Sequence, residues 1–225
     1  MDSVDIEARL RRLPLFSEVD AASLARLAAA VRMRPLERGA LALRAGDRCE
    51  AFFVNLGAPI KLFVLAPNGQ EKVIELVAAG QSFAEALMFL GRPSPVTAEA
   101  LGQTRLLVLP RAAVLEAMAA DQRLALYMLA GLSRRLHGLV GDVQAYALQS
   151  GVQRVIGYLL SDTKGDGPGL VELPVSKATL ASRLSLTPEY FSRVLRELEE
   201  GGLIRVQGRR IHIASVRRLA AYPGP

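Results

Sequence analysis

The spacing of apolar residues changes twice along the chain, and these changes outline its organisation. Residues 1–13 are charged and compatible with a helix, and the spacing of Leu24, Leu27 and Val31 predicts a helix over residues 17–31. From Met33 to Pro110 short apolar runs alternate with turn residues, and beyond Pro110 the helical period returns. The pattern therefore predicts an α+β chain in which helices flank a β-rich segment.

Turn residues interrupt the middle segment roughly every ten residues, and the runs between them have the length and composition of strands. The clearest turn is Pro67-Asn-Gly-Gln70, which predicts a hairpin between strands at 60–65 and 71–77. Further strands are predicted at 51–56 and 106–109. Short, regular strands with glycine turns are typical of a β-sandwich or a jelly-roll-like β-roll.

A long helix is predicted after this segment, with apolar residues that step by 3, 4, 3, 4 and 3. This is the a/d stripe of a coiled coil, and it favours a homodimer seam, although packing on its own domain is the alternative. Gly138 and Gly141 interrupt the helix and cost about 1 kcal/mol each relative to alanine. The predicted dimer residues are Leu129, Leu132, Leu136, Leu139, Val143 and Tyr146.

The last part of the chain predicts a helix-turn-helix followed by a glycine-tipped hairpin. A short helix at 176–184 ends in a break, and Thr187 and Pro188 supply a cap and a favourable first residue for a second helix. Residues 203–213 read as two short strands around Gly208. A unit of this kind lays its second helix in the major groove of double-stranded DNA.

The second helix of this unit has two chemically different faces. Its polar face carries Glu189, Ser192 and Arg193, and these side chains can read bases. Arginine makes two hydrogen bonds to guanine O6 and N7, glutamate accepts a hydrogen bond from cytosine N4, and serine can bond a base or contact a thymine methyl group. A solvated face with a weak Glu189–Arg193 pair is the alternative. The apolar face consists of Phe191, Val194, Leu195 and Leu198.

The charge distribution supports a polyanionic partner for the C-terminal part. The chain carries a formal charge of +6 and has a pI near 9.9. Residues 151–225 hold 11 Lys/Arg against 7 Asp/Glu, and residues 1–150 hold 17 against 15, so most of the excess lies in the last third. The candidates for phosphate contacts, which position without specifying, are Lys177, Arg196, Arg209 and Arg210.

Composition also excludes several classes of protein. The single cysteine, Cys49, rules out an internal disulfide framework and fits a reducing compartment. Neither an export leader nor an apolar run of about 18 residues is recognisable, so we expect a cytoplasmic protein without a membrane partner. An enzyme is not expected, since residues 34–110 lack the histidines of a cupin-like metal site and no nucleophile–histidine–acid set is recognisable.

The order of these elements resembles the Crp/Fnr superfamily of bacterial transcription regulators over essentially the whole chain. Glu189-x-x-Ser192-Arg193 resembles the recognition signature of the Fnr branch, and residues 83–89 stand where the family has its effector-binding turn. Within the family, residues 70–72, 83–89 and 132–137 are most similar to those of the dissimilative nitrate respiration regulators. That subgroup is associated with nitric oxide sensing through haem.

The resemblance implies an arrangement of domains and a mode of action. A sensor β-roll would cover 1–118, a dimerisation helix and hinge 119–149, and a winged helix-turn-helix 150–225. The dimer would bind a palindrome of TTGAT-like half-sites and contact RNA polymerase. An effector in the β-roll, against the long helix, would shift a hinge near Ser150-Gly151. The expected effector pocket comprises Phe83, Ala84, Glu85, Leu87, Met88, Pro95 and Val96.

Departures from the family patterns bear on the cofactor, whose identity stays open. Cyclic AMP is disfavoured, because Pro95-Val96 falls where cyclic-AMP-binding members have an Arg-Ser pair and no cation replaces that arginine. The four-cysteine iron–sulfur cluster of Fnr is excluded by the single cysteine. Haem needs an axial ligand, for which His137 is a candidate, whereas His212 is predicted to be structural or to contact phosphate. Residues 13–16 lack the histidines that the subgroup carries in this segment. Arg183 stands where the first helix of the DNA-binding unit often has a further histidine.

Overall fold

The structure is a computed structural model that describes residues 3–13, 15–16, 19–161, 163 and 165–223, without the side chains of residues 3 and 4. Pro14 and Ser17, which fall in predicted segments, lie outside the described residues. The chain divides into two compact units, Met1–His137 and Gly138–Pro225. The division falls inside the long helix, whereas the sequence places a hinge near Ser150 and Gly151.

The first unit begins and ends with helices around a β-rich centre, in the predicted order. The second helix begins at Ala21, where Asp20 caps the Ser23 amide, rather than at residue 17. The elements are α1 (Ser3–Arg11), α2 (Ala21–Ala30), β1 (Arg32–Leu36), β2 (Leu41–Leu43), β3 (Ala51–Asn55), β4 (Ile60–Leu65), β5 (Glu71–Val77), β6 (Ser82–Phe83), α3 (Glu85–Leu90), β7 (Thr97–Ala100), β8 (Thr104–Pro110), α4 (Arg111–Ala120) and α5 (Gln122–Leu148).

Two antiparallel four-stranded sheets, ordered β1-β8-β3-β6 and β2-β7-β4-β5, form the predicted β-roll. Their inner faces share a core that includes Phe53 and Leu106 from the first sheet and Ile60 and Ala98 from the second. The predicted hairpin is confirmed, since β4 pairs with β5 from Ile60↔Val77 to Leu65↔Glu71. Its turn needs Gly69, whose φ of 80° lies in the left-handed region.

A second core lies on the outer side of the first sheet, where the helices pack. Residues from α1, α2, α4 and the start of α5 contact Phe52, Leu107 and Leu109 of the sheet. Asp121, just before α5, accepts a hydrogen bond from the Asp20 amide (3.1 Å) and so joins the start of α2 to the start of α5. The first turns of the long helix are therefore fixed to the β-roll.

The second unit is the predicted winged helix-turn-helix. A three-stranded antiparallel sheet, ordered β10-β11-β9, supports the helices, and Gly208 forms the wing tip with a φ of 62°. Side-chain caps start four of the helices: Ser150, Ser176, Thr187 and Ser215. The elements are α6 (Gly151–Leu160), β9 (Gly169–Glu172), α7 (Lys177–Arg183), α8 (Pro188–Glu200), β10 (Ile204–Gln207), β11 (Arg210–Ile213) and α9 (Val216–Ala220).

No helix within the described residues combines the length and the apolar character needed to cross a membrane. The long helix α5 is amphipathic instead. Leu124 and Met128 are buried in the first unit, whereas Leu129, Leu136 and Val143 are 60–66% exposed. The predicted stripe is thus largely solvent-facing in a single chain.

Candidate nucleic-acid interface

The turn between α7 and α8 is held in a defined conformation. Ser185 adopts a φ of 57°, a left-handed conformation that residues other than glycine rarely adopt. Leu186 then donates its amide to the Ala181 carbonyl (2.8 Å), and the Leu184 carbonyl accepts from Arg154 Nη1 (2.9 Å). These bonds fix the angle at which α8 leaves the turn.

The amphipathic division of α8 agrees with the prediction. Thr187 caps the Tyr190 amide (3.2 Å), and Pro188 occupies the first helical position. Glu189, Ser192 and Arg193 are all exposed. The opposite face is buried to at least 98%, and it consists of Phe191, Val194, Leu195 and Leu198. The helix is thus anchored along one face and presents the predicted readout residues on another.

The alternative interpretation of this polar face is a solvated surface with a weak Glu189–Arg193 pair. All three polar side chains are exposed, but no ion pair joins Glu189 and Arg193. Arg193 instead lies over the ring of Tyr190, with Cζ 4.7 Å from the ring centroid. Within the described part of the chain, the Glu189 carboxylate and the Ser192 hydroxyl have no hydrogen-bond or ion-pair partner. Their polar atoms are therefore available to a ligand such as a base edge.

The predicted phosphate-contact residues differ in solvent exposure and in their hydrogen bonds to the rest of the protein. Arg196 and Arg210 are exposed, and Lys177 is half-buried at the start of α7. Arg209 donates Nε to the Leu173 carbonyl (2.9 Å), so it also braces the wing against the segment after β9. Exposed basic residues that the sequence analysis did not select are Arg205 on β10 and Arg217 and Arg218 on α9.

The last turns of α5 are joined to the helix-turn-helix by a polar cluster that we call the Arg183 clasp, formed by Asp142, Tyr146, Arg154 and Arg183. Arg183 Nη2 bonds Asp142 Oδ2 (2.6 Å), and Nη1 bonds the Tyr146 hydroxyl (2.8 Å). That hydroxyl donates to the Arg183 carbonyl (2.7 Å), and Arg154 lies 5.7 Å from the Tyr146 ring centroid.

The clasp affects the pKa of Arg183 and the orientation of the Tyr146 side chain. Burial lowers the pKa of Arg183, but hydrogen bonds and charge interactions with Asp142 and Tyr146 outweigh burial and raise the pKa above its ordinary value. Arg183 is therefore a permanent cation. The hydroxyl of Tyr146, a residue predicted as part of the dimer stripe, is hydrogen-bonded to the Arg183 carbonyl within the second unit.

In the first unit a cavity of about 440 Å³ lies between the β-roll and α5. Of the residues predicted for the effector pocket, Glu85 lines it. Phe83 and Met88 do not line this cavity and are core residues at most 1% exposed, and Pro95, which is exposed, does not line it either. Ala84, Leu87 and Val96 pack against the β-roll core. The observed lining is Leu15, Glu75, Gly80, Gln81, Ser82, Glu85, Met128, Gly131, Leu132, Arg134 and Arg135.

Arg135 dominates the polar side of this cavity. Its guanidinium bonds both carboxylate oxygens of Glu75 (2.8–3.0 Å), Glu85 Oε2 (3.2 Å) and the Ser82 carbonyl (3.0 Å). Burial lowers the pKa of Arg135, but both carboxylates outweigh burial and raise it. The sequence offered no replacement for the arginine of cyclic-AMP-binding members, whereas the structure places the Arg135 cation beside Glu85. A signal was present in the sequence, because Arg135 follows the buried Met128 by seven residues and shares its helix face.

The cavity does not fit a haem held by histidine. His137 is exposed and does not line it, and His212 is exposed on β11. Among the described lining residues Met128 is the single side chain of a type that ligates haem iron. The Arg135 cation is also already matched by two carboxylates, so a bound phosphate would have to displace them.

Comparisons with known proteins agree with this anatomy. Residues 153–222 match the model of the Crp-like helix-turn-helix domain, and residues 33–121 match the cyclic nucleotide-binding domain. The crystal structure of DNR from Pseudomonas aeruginosa is 33% identical, covers 97% of each chain and has a TM-score of 0.53. The "probable transcriptional regulator flp" of Lacticaseibacillus casei is 25% identical over 211 residues, which are 93% of this chain and 95% of that protein.

A CooA variant from Carboxydothermus hydrogenoformans has a TM-score of 0.75 at 16% identity, over 93% of this chain and 97% of that chain, which shows the shared fold. A β-roll sensor domain followed by a winged helix-turn-helix defines a transcription regulator of the effector-responsive type. The chain belongs to the Crp/Fnr family of these regulators. The relatives are transcriptional regulators, and no enzymatic family is indicated.

Proposed function

We propose that this protein is a homodimeric transcription regulator that reads a palindrome of TTGAT-like half-sites through α8. The observation that carries the proposal is the division of α8 into a buried apolar face and an exposed face that bears Glu189, Ser192 and Arg193. These residues lie in the first two turns of the helix, the part that enters the major groove in helix-turn-helix proteins.

Each readout residue has a base partner of matching chemistry. Arg193 bonds guanine O6 and N7 as a fork, and Glu189 accepts from N4 of the paired cytosine. Ser192 contacts a thymine. Exposed cations on α8 and the wing, Arg196 and Arg210, contact phosphates and set the register without specifying sequence.

The exposed stripe on α5 supports the homodimer. Leu129, Leu136 and Val143 are 60%, 65% and 66% exposed, which is costly for a monomer because the residues recur along one face. Pairing with the same helix of a second copy buries them and makes the complex two-fold symmetric. Two recognition helices about one DNA turn apart then require a palindromic site, at which RNA polymerase is the proposed partner.

The proposed effector site is the cavity between the β-roll and α5. Because Arg135 on α5 bonds Glu75 and Glu85 of the β-roll, a ligand that enters here alters the contacts of the helix. We propose a small polar effector and not a cyclic nucleotide, whose phosphate would compete with two carboxylates for one cation. Haem and nitric oxide are not part of the proposal, since Met128 is the one side chain of a haem-ligating type in the described lining and no histidine, cysteine or tyrosine accompanies it.

The proposed recognition of a specific DNA sequence by α8 is tested by titrating the full-length protein into a TTGAT-N4-ATCAA duplex and a scrambled duplex of equal length. We expect tight binding to the palindrome alone, and equal affinities would contradict the proposal. Arg193→Ala should cost about 1–3 kcal/mol and abolish the preference for the G·C pair. The matched control is Arg210→Ala, which should weaken binding to both duplexes equally. It should also lower the slope of the logarithm of the binding constant against the logarithm of the salt concentration by about one per subunit.

A further inference from the structure

The guanidinium of Arg193 packs on an aromatic ring of its own helix. Tyr190 lies three residues earlier, on the neighbouring turn, and Arg193 Cζ is 4.7 Å from its ring centroid. An exposed arginine otherwise samples many rotamers, and this conformational entropy is lost when the side chain is fixed by hydrogen bonds to a base. A ring that holds the guanidinium in place reduces that loss.

The ring itself is held by the first residue of α6. A Cβ atom at Gly151 would lie 2.9 Å from Tyr190 Cζ and 3.0 Å from its hydroxyl oxygen, so the ring lies directly against the Gly151 backbone. Gly151 is not in the left-handed region, so no backbone conformation requires glycine here. A glycine also weakens a helix relative to alanine. The close approach of Tyr190 is the physical reason for its presence.

The backbone of Tyr190 is fixed as well. Its amide donates to the Thr187 hydroxyl in the cap of α8 (3.2 Å), and the next residue, Phe191, is fully buried. The helix cap therefore fixes the backbone of Tyr190, and its ring packs against the first residue of α6. It is half-buried, whereas Arg193 is exposed.

We propose that Tyr190 is a specificity-determining positioning residue that holds the Arg193 guanidinium for guanine recognition, and that Gly151 keeps the Tyr190 ring in place. Tyr190 acts through Arg193 and does not read a base itself. The inference rests on the proposed reading of guanine by Arg193. It also links the accuracy of base reading to the position of the first turn of α6.

The test measures the ratio of affinities of the full-length protein for the palindrome and for a duplex in which the G·C pair of one half-site is replaced by A·T. Tyr190→Ala should lower this ratio between about twofold and thirtyfold, the range expected for a cation–π contact from exposed to desolvated sites. Tyr190→Phe keeps the ring and should preserve the ratio. Gly151→Ala should lower it like Tyr190→Ala, because the new methyl group displaces the ring.

The double variant Gly151→Ala with Tyr190→Ala should show no further loss, because both changes act through the same ring. Affinity for scrambled DNA and the thermal unfolding midpoint distinguish positioning from a structural role. If Tyr190→Ala weakens all duplexes equally, or if Tyr190→Phe loses as much as Tyr190→Ala, the inference is wrong. If Tyr190→Ala does not fold, Gly151→Ala decides by the same ratio.

The Arg193→Ala variant separates this inference from the proposed function. If Arg193→Ala leaves the ratio unchanged, the proposed readout itself fails. If Arg193→Ala abolishes the preference but Tyr190→Ala and Gly151→Ala do not change it, only the positioning role of Tyr190 is overturned.

Discussion

Arg183 Nη2 lies 2.6 Å from Asp142 Oδ2, and this ion pair joins the end of α7 to α5 across the connection at Ser150. Tyr146 adds two hydrogen bonds to the same arginine. The last turns of α5 thus belong to the DNA-binding unit, and a shift of these turns reaches the helix-turn-helix directly. The predicted hinge near Ser150-Gly151 is bridged by the Arg183 clasp within that unit.

The clasp predicts a loss of stability when its carboxylate is removed. Asp142→Asn keeps the shape of the side chain and a similar helix propensity but removes the negative charge that faces Arg183, whose side chain is 23% exposed. The free energy of unfolding should fall by about 1–2 kcal/mol. Urea denaturation of the full chain measures it. The control Asp166→Asn changes an exposed carboxylate and should stay within about 0.5 kcal/mol of the parent, and an equal effect of both variants would argue against the clasp.

The contacts of Arg135 predict that its loss is more harmful than that of its neighbour. Arg135→Met leaves Glu85, whose side chain is 8% exposed, as a buried charge without a cation, and should destabilise the protein by about 2–4 kcal/mol. Arg134→Met changes an exposed residue and should have little effect. Adding Glu85→Gln to Arg135→Met should restore part of the loss, as measured by urea denaturation. No recovery in the double variant would show that Glu85 is not the cause.

The stripe on α5 predicts the oligomeric state. Leu136→Glu places a charge in the proposed seam, so the dimer should dissociate and affinity for the full palindrome should fall at least tenfold, equivalent to about 1.4 kcal/mol. Sedimentation velocity measures the change in mass. Gln144→Glu introduces the same charge one position after Val143, rotated by about 100° around the helix, and should leave the dimer intact. A monomeric parent protein would refute the seam.

Asp121 predicts a pH dependence of stability. Hydrogen bonds from Arg123, together with the Asp20 amide, lower the pKa of Asp121 below its ordinary value. A carboxyl group with a lower pKa in the folded state stabilises the fold above its unfolded pKa of about 3.9, and this stabilisation is lost as the pH falls further.

Asp121→Asn should therefore be less stable than the parent at pH 7, and the difference should narrow below about pH 4. Denaturation of both proteins from pH 7 to pH 3 measures this difference. The Asp20 carboxyl, whose pKa is lowered by its hydrogen bonds with Ser23, also interacts with Asp121, so the difference between the two proteins reports the Asp121 charge together with its effect on Asp20. A difference that does not change with pH would mean that the Asp121 charge is unimportant.

The features that the sequence predicted correctly depend on local patterns. The hairpin at 67–70, the two faces of α8 and the length of α5 follow from turn residues and from helical and strand periods, which neighbouring residues encode. The contacts of Arg135 with Glu75 and Glu85 join residues 60 and 50 positions apart, and no period relates them. The packing of Gly151 on Tyr190 is non-local in the same sense. The lining of the cavity comes from separate elements, which is why the sequence prediction named only Glu85 among its lining residues.

Cys49, the single cysteine of the sequence, is buried in the β-roll core and donates its thiol to the Ala51 carbonyl. Burial raises the pKa of this thiol, so little of the reactive thiolate is present near neutral pH. A cysteine introduced at an exposed position would therefore be modified by maleimide reagents far faster than Cys49. Fluorophores or spin labels can thus be attached at one chosen point, on the wing or along α5, without first replacing a native residue.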